Sequence, residues 1–351
     1  MELRPLSSYV RELRPVLPPE VFQPARSRLL WLPVHLAAIA AMIVAVASGW
    51  VPGFAAPLVS LAIGVSLAGL TFLGHETLHG GVVRGKRLRR VVGWLGFLPF
   101  VVSPRLWMAW HNREHHGHTN EVDRDPDMYP TRAAYDGSRL VRVVTDRFAL
   151  GGRRWTGVLS LLFGFTGQSG QMLVWARRRG LLDARGHRVA IAETALGLAV
   201  WATVAVLVGP LAFLFVYVLP LIVANWLVMA FILTNHGLNP QTAINDPLVN
   251  SLSVTVPRVA DWLTLGFGYH VEHHLFPAMS TRHGPRVRDA IRARWPERYQ
   301  SMPLGQALLA LHRTARVYQD PVTLVDPRSG QAWPTLLPSL GSPPASPAPS
   351  R

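Results

Sequence analysis

Three groups of histidines stand out: His75-Glu-Thr-Leu-His79, His111-Asn-Arg-Glu-His115-His116 and His270-Val-Glu-His273-His274. Within each group imidazoles recur three or four residues apart, a spacing that on a helix stacks them on one face about a turn apart. One helix can then offer two ligands to one ion. The first group also matches HExxH, the zinc-protease word in which Glu76 would be the general base. A zinc protease closes its site with about three protein ligands, however, and would leave the second and third groups without a role. Three groups on one surface point instead to a multi-metal site. His236, in Thr234-Asn235-His236-Gly237, adds a ninth imidazole to the eight in the groups. So many nitrogens exceed one ion and suit two, each with an open position. Imidazole serves iron, copper, zinc and nickel alike, but ligands buried at a bilayer surface with open coordination fit iron that activates dioxygen. Each group carries a glutamate, Glu76, Glu114 or Glu272, and Asp123, Asp125 and Asp127 follow the second. Carboxylates beside metal-bound histidines usually accept the other ring N–H. That role is expected here, with a solvated acidic loop as the alternative for the three aspartates.

The other histidines read differently. His35 stands alone in an apolar run and is expected to be a packed or interfacial side chain. His187, His283 and His312 read as surface residues, and His118 as an outer or substrate-side group. Cysteine is absent from the 351 residues, which removes disulfides, thiolate metal sites and cysteine nucleophiles. Metal chemistry must use imidazole and carboxylate.

The elements that position these groups follow from composition. Hydrophobic residues make up 49% and charged ones 16%, too few charges to clothe two soluble cores. Leu29 to His75 and Thr194 to Asn245 contain no Asp, Glu, Lys or Arg, and each run is long enough for two spans of ~20 residues. Turn-forming clusters at Gly49-Trp50-Val51-Pro52-Gly53 and Gly209-Pro210 divide them. The expectation is an all-α integral membrane protein of four transmembrane helices in two hairpins, about 30–49 with 55–79 and 190–209 with 211–236. Pro220 should kink the last. The first 28 residues have no apolar core of their own and do not read as a cleaved signal peptide.

Charge sets the orientation. Arg4, Arg11, Arg14, Arg26 and Arg28 precede the first span, basic residues crowd Arg84 to Arg90, and both hairpin turns are uncharged. The positive-inside rule then puts the termini and the segment 80–189 in the cytoplasm. All nine histidines fall on that face. The formal net charge of +15 belongs to these loops and reflects topology rather than nucleic-acid binding. Val91–Pro104 and Trp155–Trp175 read as helices lying in the interface. The domain reading is a cytoplasmic segment 1–28, a membrane domain 29–300 whose cytoplasmic helical cap holds a di-iron site, a C-terminal cytoplasmic segment 301–334 with a basic helix at 284–294 before it, and a disordered Pro/Ser/Ala tail 335–351.

HxxxH, HxxxHH and HxxHH on a four-span chain resemble the integral-membrane fatty acid desaturases. Trp110-His111-Asn112, Thr119-Asn120 and Tyr269-His270-Val271-Glu272-His273-His274-Leu275-Phe276-Pro277 are similar to the acyl-lipid branch. The resemblance covers roughly 30–300. It implies His75, His79, His111, His115, His116, His270, His273 and His274 as iron ligands, with His236 matching the family's extra histidine. Asn235 and Asn225 do not clearly match the asparagine that part of the family places near it. It also implies two iron ions, O2 as co-substrate, an acyl lipid, acyl-CoA or acyl-carrier substrate, and membrane lipid as the surround. No His-Pro-Gly-Gly haem word occurs, so electrons would come from a separate ferredoxin, rubredoxin or cytochrome b5 type donor. Related hydroxylases and carotenoid ketolases use similar boxes. A membrane zinc protease or a metal-handling protein are the readings from other classes.

Overall fold

A computed structural model describes residues 2–337. The expected tail over 335–351 lies outside the described residues from 338 onward. The chain is mostly helical, and four of its helices are long and apolar enough to cross a membrane. The labelled helices are α1 (Leu6–Leu13), α2 (Trp31–Ala47), α3 (Ala56–His79), α4 (Lys86–Phe97), α5 (Pro104–His118), α6 (Arg139–Phe148), α7 (Val158–Trp175), α8 (Ala184–Val208), α9 (Pro210–His236), α10 (His270–Leu275), α11 (Gly284–Arg294) and α12 (Leu304–Arg313).

Helix α3 is the centre of the bundle. It buries every residue from Leu67 to His79, whereas α2 buries only His35 and Ile39 and α8 only four residues. Apolar helices that leave most of their surface uncovered are what a lipid surround requires. Helices α2, α4 and α9 all pack on α3. At the α3–α4 crossing two glycines bring the backbones together: a Cβ on Gly96 would stand 2.6 Å from the Gly74 Cα. That close approach fixes the turn of α3 carrying His75. His35 is packed as expected, stacked on Trp31 with its ring against Gly69.

The observed helices track the expected spans, with two differences. Helix α8 begins at Ala184, earlier than 190, because Asp183 caps it by accepting from the Gly186 N–H at 2.6 Å. In α9 the turn Leu214–Val218 opens into a π-helix just before Pro220, which has no N–H to continue the ladder. Ser60 of α3 donates to the Phe215 carbonyl in that turn at 2.6 Å.

Both stretches read as interfacial are helical, and each buries a face in the bundle. Helix α4 buries Val92, Gly93, Gly96 and Phe97, and the chain then bends by 98° into α5. Helix α7 packs on α9 with Leu161, Phe165 and Met172 buried. Its polar residues turn inward: the Thr166 hydroxyl donates to the Asn225 side chain at 3.2 Å and Gln168 to Asp127 at 2.7 Å.

The remaining segments gather at the His79 end of α3. Tyr9 and Leu13 of α1 form one apolar cluster with Val271 and Leu275 of α10 and Val287 and Ile291 of α11. Strand β1 (Ser253–Thr255) pairs in parallel with β2 (Ser301–Pro303), and β3 (Tyr318–Asp320), β4 (Thr323–Val325) and β5 (Ala332–Pro334) form a small antiparallel sheet.

Candidate metal centre

The nine histidines expected to be ligands converge, and their nitrogens form two groups. Ring nitrogens of His75, His79, His111 and His273 lie within 4.8 Å of one another, and so do those of His115, His236, His270 and His274. His116 completes the first group, its Nε2 3.2 Å from those of His111 and His273, while its ring stacks on His274.

Local backbone explains the division. Met108–His115 is a π-helix, in which residues five apart rather than four come into line. His111 and His116 therefore meet in one group, and His115 turns to the other. Helix α10 is an ordinary α-helix, so His270 and His274 align, Nε2 to Nε2 at 3.0 Å, and His273 swings toward the first group. The second and third sequence groups thus each serve both nitrogen clusters. Only the pair on α3 stays together.

The second cluster is oriented by hydrogen bonds. His115 Nδ1–H donates to Asp125 at 3.0 Å and His236 Nδ1–H to the Asn250 carbonyl at 3.0 Å. The Thr119 hydroxyl is committed to the His115 carbonyl at 2.8 Å, so His274 Nδ1–H donates to it at 3.2 Å. In a neutral ring each bond leaves Nε2 as the free lone pair; His115 must first shed the Nε2 proton that Asp125 and Asp127 favour. Asp125 reaches His115 because Asn120 takes a left-handed turn, φ 53°, a conformation asparagine tolerates, and its N–H donates to Asp125 at 2.8 Å. Burial opposes charge on His115, but Asp125 and Asp127 outweigh it and push its pKa up to about 9. Burial raises Asp127 to about 6 despite His115, with Asp125 adding to the rise.

The first cluster is held by packing instead. Trp107, one turn before His111, stacks on its ring at 4.4 Å, and Phe267 meets His75 edge-on at 4.9 Å. Among the described residues, no ring of this cluster bonds to a carboxylate, hydroxyl or carbonyl. Burial, together with neighbouring imidazoles, holds His111, His116, His270, His273 and His274 well below the ordinary histidine range. They are neutral at neutral pH, as ligands must be.

These nitrogens fit a metal. Nε2 atoms of His236 and His270 stand 2.7 Å apart and those of His75 and His111 3.1 Å, and His79 Nε2 is buried without a partner. Two nitrogens each ~2.1 Å from one ion at a right angle lie about 3 Å apart, which is the spacing these rings show.

The carboxylates sort unevenly. Asp125 accepts the His115 ring N–H, and Asp127 lies 3.5 Å from His115 Nδ1, receiving Trp110 and Gln168 at 2.7 Å each. Asp123 is exposed. Glu76 pairs with Arg28 and Thr281, Glu114 with Arg113, and Glu272 receives Ser253 and Tyr299 at 2.6 Å each, so none of the three glutamates takes a ring N–H. Ser253, which no sequence signal marks, also accepts from the His270 and Val271 N–H groups at 3.1 and 3.0 Å and caps α10 from outside the helix. Trp107 was visible only as an aromatic four residues before His111. His118 bonds to Glu121 and Arg124, away from the clusters. His187 is half-buried on the Leu173 carbonyl, not a free surface residue, and His283 and His312 are likewise half-buried. Asn225 is engaged by Thr166, while Asn235 is buried with neither side-chain polar atom paired.

A cavity of about 530 Å³ opens beside the clusters. His75, His111, His115, His236 and His270 line it, and Phe72, Phe97, Trp107, Phe165, Met229 and Phe267 are among its mostly apolar walls. Its size is that of a pocket for a small organic ligand.

Known proteins similar to this chain include acyl-lipid desaturases. A sn-1 oleoyl-lipid 12-desaturase from Arthrospira platensis is 24% identical over 256 residues, covering 68% of this chain and 70% of its own. One of the same description from Synechocystis sp. is 22% identical over 305 residues, 83% and 84% of the two chains. A sn-1 acyl-lipid omega-3 desaturase (ferredoxin) from Synechocystis sp. is 32% identical over 124 residues, 34% and 33% of the two chains. The profile of the family described as Fatty acid desaturase matches residues 48–304, and the chain belongs to that family.

Proposed function

We propose that the chain is an O2-dependent desaturase of membrane acyl lipids with a histidine-held di-iron centre. The observation that carries this reading is the convergence of nine histidines in two clusters, with five of the nine lining a mostly apolar cavity. His75, His79, His111, His116 and His273 would hold one iron and His115, His236, His270 and His274 the other. Bound iron would supply activation of O2 for removing hydrogen from an unactivated methylene pair, which no side chain can do. The electrons balance as two from the carbon–hydrogen bonds and two from a donor, reducing O2 to two waters. The cavity's aromatic walls would align the acyl chain and exclude water, and Asp125, Asn250 and Thr119 would keep their imidazoles in the ligating tautomer. The ferredoxin in one relative's description favours a donor of that type, and the acyl-lipid descriptions favour a lipid-bound acyl chain. Positive charge around the expected loops supports termini and histidines on the cytoplasmic side, under a helical cap on two hairpins.

The test is expression in a host of defined lipid composition, with double bonds and hydroxyls located by mass spectrometry and metal counted in the purified protein. New double bonds and about two irons per chain are expected, both lost in His273→Ala. Hydroxyl or keto product would move the chain to the related oxygenases, and desaturation retained by His273→Ala would overturn the ligand assignment. The protease reading predicts one zinc and dependence on Glu76, whose carboxylate is instead engaged by Arg28.

A further inference from the structure

Helix α6 is built inside out for a protein in water. Its stripe Leu140, Val143, Val144 and Phe148, at helical spacing, points away from the protein with exposures of 58, 46, 48 and 45%. Its polar side packs inward: Arg142 donates to the Tyr135 and Asp136 carbonyls, and Asp146 receives Tyr135 at 3.0 Å and Arg154 at 2.8 Å. A surface helix in water turns its apolar stripe to the core. Exposed Arg139 and Arg147 lie at its two ends, and Trp155, 81% exposed, follows. The apolar surface continues onto α7 through Val158 and Phe163. Val144, Thr145 and Phe148 also line the cavity.

We propose that α6 lies in the bilayer interface, its stripe among acyl chains and Arg139 and Arg147 at anionic lipid phosphates, so that the cavity mouth opens into lipid rather than water. An apolar face flanked by arginines and an exposed tryptophan is the chemistry of an in-plane membrane helix. The proposal rests on the membrane reading for its bilayer but not on the reaction, and its test needs no turnover.

The natural absence of cysteine permits single labels. The full-length, metal-loaded Val143→Cys protein, carrying an environment-sensitive fluorophore, is placed in vesicles of neutral and anionic phospholipid. Ser329→Cys, at an exposed turn, is the control. Lipid-borne spin label should quench the Val143 probe at least threefold more than the control, with aqueous iodide showing the reverse order. Replacing anionic by neutral lipid should weaken lipid quenching of the Val143 probe, and Arg139→Glu with Arg147→Glu should do the same. Equal iodide quenching at the two sites overturns the placement. Lipid quenching indifferent to lipid charge and to the arginines overturns the phosphate contact. A probe buried in lipid on a protein that forms no double bond would leave this proposal standing while sinking the desaturase reading.

Discussion

The two histidine clusters use the same side chain and are held by different physics. In the cluster of His115, His236, His270 and His274, three rings are pinned through Nδ1 by a carboxylate, a carbonyl and a hydroxyl. In the cluster of His75, His79, His111, His116 and His273, ring orientation comes from aromatic walls and from close helix crossing. Hydrogen bonds select a tautomer as well as an orientation, whereas stacking fixes only the plane of the ring. Hydrogen bonds therefore mark Nε2 as the available nitrogen in three neutral rings of the second cluster, and among the described residues none does so in the first.

The most severe test removes one ligand from each cluster. His79→Ala and His270→Ala should both reduce desaturated lipid to background, with iron analysis showing loss of at least one ion from each; full iron in either variant would break the assignment. Next, Trp107→Ala should destabilise the first cluster's support by ~3–5 kcal/mol, the usual cost of deleting a buried tryptophan, read as a lowered unfolding temperature, while Trp107→Phe should recover much of it. Asp125→Asn keeps the shape but removes the charge opposite His115, and a loss of ~10–100-fold in iron affinity or activity is expected. Wild-type iron affinity and turnover in that variant would mean that the contrast between the clusters has no consequence. Ser253→Ala leaves the Val271 N–H of α10 without its acceptor, while the His270 N–H keeps the Gly268 carbonyl, and should cost ~0.5–2 kcal/mol, as loss of a helix cap does. Glu114→Gln, outside both clusters, should stay within ~0.5 kcal/mol of wild type in stability and retain full iron.

Much of the site could be read from the chain because its signals are local. Uncharged runs of span length and histidines three or four apart reveal spans and candidate ligands without any tertiary information. What could not be read is what depends on contacts distant in sequence. Nothing in His111-Asn-Arg-Glu-His115-His116 announces a π-helix, so the division of these rings between clusters stayed hidden. Three aspartates within five residues looked alike, and only the Asn120 turn singles out Asp125. The glutamates inside the motifs looked like partners of their neighbouring histidines, yet Arg28, Arg113, Ser253 and Tyr299 claim them. Composition marked Val91–Pro104 as interfacial but could not show that Gly93 and Gly96 let α4 pack closely on α3.

The π-helix has one more consequence. Because α5 and α10 each place histidines in both clusters, the two sites would be yoked by shared backbone: seating an ion in one would order the turns that carry the other's histidines, and withdrawing it would slacken them. Occupancy should then be all-or-none, with iron titration rising cooperatively and partial chelation yielding a mixture of full and empty molecules instead of a population of half-loaded ones.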